Sequence, residues 1–176
     1  MKPSRGIFTL LVAIAAMLPV TAAPKAATTP DSRVQVEFVN AEKFTDFKSD
    51  ASGSKKGRNN YLTQLKSYLI RQAGSQLTQG QQLSVSVTNI DMAGEFEPWR
   101  GQSFTNMRVV KDQYPPRIDL SFKITDAKGK LTREGSRELR NLSFMKDAAV
   151  NRQDPLRHEK NLLDAWLKRE LGGKAE

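Results

Sequence analysis

Three carboxylates lie close together in one short segment, at Asp91, Glu95 and Glu97, and Gly94 precedes the second of them. The segment follows a predicted strand, and a glycine there permits a sharp turn. Calcium prefers carboxylate and carbonyl oxygens and takes about six to eight of them. The segment therefore predicts a site for a divalent cation such as calcium. The structural alternative is that Asp91 accepts hydrogen bonds from its own turn.

The same acids are suited to a second kind of chemistry. Glycosidases hydrolyse sugars with two carboxyl groups, one protonated and the other ionised. Trp99 and Tyr114 lie nearby in the sequence, and aromatic rings of this kind can stack on sugars. The enzymatic hypothesis is therefore a carboxylate-based or cation-dependent hydrolase centred on Asp91 and Glu95.

A group of arginines favours binding over catalysis. Arg133, Arg137 and Arg140 occur in one short run, with glutamates between them. In an extended strand, Arg133 and Arg137 point to the same side. Guanidinium groups bind phosphate through paired donors. These arginines, with Trp99 as an exposed aromatic residue, are therefore predicted to bind an anionic polymer or lipid. The alternative is a solvated edge strand with cross-strand ion pairs.

The composition restricts the chemistry further. The chain has 176 residues, one histidine and no cysteine, which excludes disulfides, thiolate metal sites and sites with two imidazoles. Lys and Arg number 28 against 19 Asp and Glu, a formal net charge of +9. A positive surface attracts polyanions. Apart from the cation described above, no cofactor is predicted.

The amino-terminal segment has the pattern of a secretory signal. Lys2 and Arg5 precede an apolar run that ends at Val20, which is too short to cross a bilayer. Small residues at Val20 and Ala22 fit cleavage after Ala22. The mature protein is therefore expected in the periplasm or outside the cell, with no transmembrane span and with no nucleic acid as a partner. The predicted divisions are a signal peptide over 1–22, a flexible lead-in over 23–33 and a single domain over 34–172.

Hydrophobic periodicity predicts the elements that position these residues. Alternating apolar residues indicate strands that begin near Val34, Leu83 and Ile118. A further strand is predicted over 104–111, and a charged return strand over 130–139. A mobile basic loop is predicted over 48–59.

Two helices are also expected. Helical spacing predicts the first over 60–77. Asp154 and Pro155 begin the second, which ends at Gly172 and leaves His158 facing solvent. Because these strands and helices are each apolar on one side, they predict an α+β fold, with a mainly antiparallel sheet of four to five strands and both helices on one face.

Several short segments resemble a known family. Ile90-Asp91-Met92-Ala93-Gly94-Glu95 follows one strand and Pro115-Pro116-Arg117-Ile118 opens another, with Phe44-Thr45-Asp46 upstream and Leu142-Ser143-Phe144-Met145 downstream. Together they resemble the proteobacterial domain of unknown function 3016 family, over about residues 34–146. The resemblance implies an exported protein without an assigned activity, and it implies no mechanism.

Two hypotheses follow. The first is an exported, non-catalytic protein that binds an envelope component, either a protein or an anionic polymer or lipid. The second is the hydrolase. Clustering of Asp46, Asp91, Glu95 and Asp119 in one cleft would favour the enzyme, whereas scattered acids would favour binding.

Overall fold

A computed structural model describes residues 32–147 and 151–172, so the predicted signal peptide and most of the lead-in lie outside the described residues. The elements are β1 (Val34–Phe38), α1 (Lys55–Gln76), β2 (Gln82–Asp91), β3 (Glu95–Phe96), β4 (Arg108–Val109), β5 (Arg117–Thr125), β6 (Leu131–Arg140) and α2 (Arg157–Leu171). The main sheet has the order β1, β2, β5, β6, and only β1 and β2 run parallel in it. β3 and β4 form a separate antiparallel ribbon.

One face of the main sheet forms the core, because side chains alternate between the two faces along each strand. Val85 of β2 lies opposite Phe122 of β5, and both are buried. Leu69 of α1 and Trp166 of α2 belong to the same buried cluster. Trp166 meets Phe122 edge-on, with 5.6 Å between ring centroids. The predicted α+β class, with both helices on one face of a mainly antiparallel sheet, is confirmed.

The hairpin of β5 and β6 forms where the sequence predicts it. The Oδ1 atom of Asp126 accepts the main-chain N–H groups of Lys128 at 2.8 Å and Lys130 at 3.0 Å. Gly129 has a φ of +77°, which glycine adopts without strain. β6 is an edge strand of the sheet.

The first helix begins earlier than predicted. Residues 55–59, predicted to belong to a mobile basic loop, are helical. The Ser54 hydroxyl accepts the Gly57 N–H at 3.2 Å and donates to Asp50 at 2.7 Å, which gives the helix a cap. The prediction was wrong because lysines and a glycine at the amino end of a helix oppose ordinary helix preferences.

The strand predicted over 104–111 is mostly absent from the described structure. Only Arg108–Val109 is extended, and it pairs with β3 instead of the main sheet. The part of the segment before Arg108, including Phe104 and Met107, lies in the loop that joins β3 and β4. These two apolar residues are three positions apart and could not share one face of a strand. Gly94 has a φ of +80°, and a Cβ atom there would lie 2.7 Å from the Val109 carbonyl oxygen. Glycine is therefore required for the two arms to approach.

The second helix has a wider buried side than predicted. The Asp154 carboxylate accepts the Leu156 N–H at 2.9 Å and so begins the turn that leads into α2. His158 is buried, which contradicts its predicted exposure, and its ring lies 4.9 Å from that of Phe144. Leu162 is also buried, one turn further on. Burial lowers the pKa of His158.

Neither helix of the described ranges is both long enough and apolar enough to cross a membrane.

Candidate binding surface

Two of the predicted binding arginines form hydrogen bonds and ion pairs with α2. Arg133 and Arg137 lie on the helix-covered side of β6. Arg137 Nε donates to Glu170 Oε1 at 2.8 Å, and an Arg133 guanidinium nitrogen donates to the Glu170 main-chain oxygen at 2.7 Å. Arg137 also lies over the Phe122 ring, 5.2 Å from its centroid. These guanidinium groups hold α2 against the edge of the sheet instead of forming a free cationic surface.

Arg140 lies on the opposite face of the sheet and is exposed. It pairs in register with Arg117 of β5. Arg117 is itself engaged, because its Nε donates to Asp119 Oδ1 at 2.9 Å. The structure therefore does not bring Arg140 together with Arg133 and Arg137.

The three acids of the predicted cation site have different surroundings. Asp91 is half-buried, and burial, followed by the charges of Asp46 and Glu95, raises its pKa. Glu95 accepts the main-chain N–H of the next residue at 2.8 Å. Both oxygens of Glu97 accept hydrogen bonds from Lys111 Nζ, at 2.6 and 2.8 Å. Among the residues that the structure describes, no three His, Cys, Asp or Glu side chains are grouped to hold a metal ion.

Glu97 fixes the loop that carries Trp99. Its carboxylate is buried and also accepts hydrogen bonds from the Tyr114 hydroxyl at 3.0 Å and from Arg100 at 3.3 Å. The hydrogen bond from Lys111 is the largest influence and lowers the pKa of Glu97 in spite of burial. Trp99 lies in the adjacent 3-10 turn, Pro98–Arg100, with 71% of its surface exposed.

Arg108, which sequence reasoning missed, ties the ribbon to the segment that leads into α1. One guanidinium nitrogen donates to Asp46 Oδ2 at 2.7 Å and to the Gly94 carbonyl at 2.8 Å. The other donates to the Lys48 carbonyl at 3.3 Å. The guanidinium also lies over the Phe96 ring at 4.6 Å. A single arginine in a two-residue strand has no periodic signal by which it could have been found.

The exposed side of α1 carries cations that sequence reasoning did not connect. The helix contains no Asp or Glu and five basic residues: Lys55, Lys56, Arg58, Lys66 and Arg71. Within residues 32–147 and 151–172, no carboxylate forms an ion pair with any of them. The signal was present in the sequence as the absence of acids over 55–76. The helix therefore presents unpaired positive charge to solvent.

Two hollows adjoin these elements. One, of about 210 Å³, lies beside the amino end of α1, and its charged lining is Lys48, Arg58 and Glu42. Another, of about 580 Å³, lies between the end of β6 and α2. Its charged lining is balanced: Glu138, Asp147, Asp164, Arg140, Lys168 and Arg169. Only the hollow beside α1 continues the positive surface.

Comparison with known proteins identifies a family. A family model described as protein of unknown function (DUF3016) matches residues 32–169. This match extends the resemblance seen in the sequence through most of α2. No curated protein and no solved structure gives a significant match.

Proposed function

The chain belongs to the DUF3016 family of proteins of unknown function, and from that premise we propose that it is an exported, non-catalytic protein that binds an anionic component of the cell envelope. The exposed side of α1 is the binding surface. The observation that carries the proposal is a helix of 22 residues with five cations and no carboxylate.

The placement of these cations supports a ligand better than it supports stability. Lys55 and Lys56 occupy the first turn of α1, where the helix dipole is positive and lysine is unfavourable. Residues that break a local preference without a compensating contact are expected at functional sites. Within the described ranges, Asp50 accepts the Ser54 N–H at 3.3 Å at this end of the helix but forms no ion pair with either lysine, so an anionic ligand would give the lysines a partner.

The proposed location rests on the sequence of residues 1–22. A basic start, a short apolar run and small residues before Ala23 are the features that signal peptidase recognises. Cell fractionation combined with amino-terminal sequencing tests this part. We expect the protein outside the cytoplasm with Ala23 as its first residue, and an intact cytoplasmic chain would contradict export.

Charge removal on α1 tests the binding proposal. Lys55, Lys56 and Lys66 are changed together to Gln, whose helix propensity is close to that of Lys. Binding to lipopolysaccharide and to phosphatidylglycerol vesicles is then measured at low and moderate salt. We expect the affinity to fall at least about tenfold, because a lysine near an anionic surface contributes about 1 kcal/mol. The affinity of the unchanged protein should weaken as salt rises.

A matched variant distinguishes the contribution of the α1 lysines to binding from the effect of net charge alone. Lys123, Lys128 and Lys130 are also exposed but lie on β5 and in the β5–β6 turn. Changing these three residues to Gln removes the same charge, and we expect the affinity to stay within about twofold of the unchanged protein. Equal losses from the two triple variants, or no binding at low salt, would contradict the proposal.

One observation favours a hydrolase as a second candidate. Asp46 and Asp91 form a main-chain bridge, and the pKa of Asp91 is raised by burial and by Asp46. Asp46 is nevertheless engaged by Arg108 at 2.7 Å, and Asp119 by Arg117 at 2.9 Å, so the acids do not form one free cluster. Hydrolysis of chromogenic glycosides with calcium or magnesium, lost in Asp91→Asn, would favour the enzyme.

A further inference from the structure

We propose that the loop between β3 and β4, residues 97–107, docks on the surface of an anionic phospholipid bilayer and places Trp99 and Met107 among the headgroups. This inference rests on the proposed function, because α1 supplies the attraction to the anionic surface. It adds the identity of the ligand, a lipid bilayer, and a second contact of different chemistry.

The loop exposes apolar side chains beside a cation. Trp99 is 71% exposed and Met107 is 53% exposed. Arg100 lies over the ring of Phe104 at 4.8 Å from its centroid. Tryptophan has an apolar body and one polar N–H, which suits it to the boundary between water and acyl chains. Arg100 also donates to Glu97 at 3.3 Å, and its side chain is 42% exposed, so its remaining guanidinium N–H groups can donate to a phosphate in the same layer.

The loop is held in place by buried polar contacts at its base. Glu97, at its start, binds Lys111 Nζ at 2.6 Å and the Tyr114 hydroxyl at 3.0 Å, and Lys111 and Tyr114 follow β4. Removing a carboxylate from water is costly unless it is paired in this way. The pairing joins the two ends of the loop, and Glu97 is two residues from Trp99 in the chain. The aromatic residue is therefore presented on a fixed base, which reduces the ordering cost of binding.

The loop and the cations of α1 belong to connected parts of the molecule. Arg108 of β4 binds Asp46 at 2.7 Å and the Lys48 carbonyl at 3.3 Å. That segment runs through the hollow lined by Lys48 and Arg58 into the first turn of α1. Met107 precedes Arg108 in the chain, so the segment that Arg108 contacts links the loop to the cations of α1. Peripheral membrane proteins combine positive charge with exposed apolar side chains, since electrostatic attraction and apolar burial add.

Tryptophan fluorescence tests insertion directly. The chain has two tryptophans, and Trp166 is only 1% exposed, so it reports on the core. The full protein and its Trp99→Phe variant are titrated with vesicles of equimolar phosphatidylglycerol and phosphatidylcholine. The emission of Trp99 is the difference between the two. We expect it to shift to shorter wavelength and to be quenched by lipids brominated near the headgroup, whereas Trp99→Phe shows neither change.

A double variant tests the contribution to affinity. Trp99→Ala with Met107→Ala should weaken vesicle binding about tenfold, because the free energy gained on binding increases with the apolar area that is buried. Leu142 and Met145 are 69% and 50% exposed elsewhere on the chain. Changing Leu142 and Met145 to Ala is the matched control, and we expect a change of less than about twofold.

The outcomes distinguish this inference from the proposed function. If the α1 lysine variant loses binding while Trp99 emission never shifts and the double variant binds normally, the inference is wrong and the proposed function stands. If Trp99 responds to soluble lipopolysaccharide-derived sugars but not to vesicles, the ligand is a sugar and the bilayer proposal is overturned. If neither the lysine nor the tryptophan variants change binding, both are overturned.

Discussion

The two helices pack on the same face of the sheet but treat their charges in opposite ways. Helix α2 buries two carboxylates, Glu159 and Glu170, and its Asp164 accepts the hydroxyl of Tyr68 of α1 at 2.7 Å. Helix α1 has no carboxylate, and its cations face solvent. Each of these α2 acids has a protein partner, so they fix how that helix docks. The charges of α1 have no such task, and they remain available to a ligand.

The comparison also separates two kinds of cluster that look alike in a sequence. Arg133 and Arg137 lie four residues apart, closer in sequence than Lys56 and Lys66 of α1, yet Glu170 of a distant helix forms ion pairs with both. The spacing of cations therefore says little about their role. The position of the nearest carboxylate in the folded chain decides it.

The largest effect is expected when a buried carboxylate of α2 is replaced by a neutral side chain. Glu159 is fully buried, its Oε1 accepts the Ala93 N–H at 2.8 Å, and its Oε2 has no partner among the described residues. Burial raises its pKa from 4.5 to about 7. The unfolded carboxyl ionises near pH 4.5 while the folded one stays protonated, so stability is lost as pH rises from about 4.5 to about 7.

Glu159→Gln should remove this loss. By chemical denaturation, we expect little difference from the unchanged protein at pH 4.5 and a gain of about 3 kcal/mol at pH 8. Glu134→Gln, on the exposed strand β6, is the control and should show no such dependence. A gain that is the same at both pH values would refute the titration of Glu159.

A smaller effect is expected where α2 meets the arginines. Glu170→Ala leaves Arg133 and Arg137 without their common partner and should lower the free energy of unfolding by about 1–2 kcal/mol. A double-mutant cycle with Arg137→Ala should show that the two losses do not add. Glu138→Ala breaks only an exposed pair with Arg117, 3.6 Å long, and serves as the comparison. Equal losses of stability from Glu170→Ala and Glu138→Ala would contradict the claim that Glu170 fixes the docking of α2.

The smallest effect has the opposite sign and belongs to α1. Lys55→Gln with Lys56→Gln removes two cations from the positive end of the helix dipole and should raise the free energy of unfolding by about 0.5 kcal/mol. The same change should weaken anion binding. Thermal unfolding at low salt measures the gain, and Lys128→Gln with Lys130→Gln should leave the melting temperature unchanged. A loss of stability in the α1 variant would show that these lysines support the fold.

Local patterns predicted the sheet well. Strands β2 and β5 have alternating apolar residues that all face the helices, and the Asp126 turn has the residues that its geometry needs. The predicted elements were wrong where the local conformational preference of a segment differs from the structure that its tertiary contacts impose. The first turn of α1 looks like a loop because its lysines are unfavourable there. The segment 104–111 contains apolar residues, but most of it lies in loops, and within it Arg108–Val109 pairs with β3.

The site was less predictable than the fold, because it depends on contacts between distant residues. Nothing near Arg137 in the sequence indicates that Glu170 lies 2.8 Å away. Likewise Glu97 resembles a calcium ligand in the sequence, but in the structure its two oxygens accept hydrogen bonds from Lys111 and Tyr114. The deficit of acids in α1 was visible in the sequence, but only the structure shows that no other element compensates for it.

The long connection between the two central strands has a consequence for the order of folding. β5 and β6 are joined by a short turn, and hairpins of this kind close in about 1–10 μs. β2 pairs with β5 across the whole of residues 92–116, so we expect this pairing to form after the hairpin. Closing such a loop slows the pairing. Before β2 docks, one main-chain edge of β5 is unpaired and the apolar face formed by Ile118, Leu120 and Phe122 is incompletely covered, so we expect newly made chains to be most prone to aggregate at this stage.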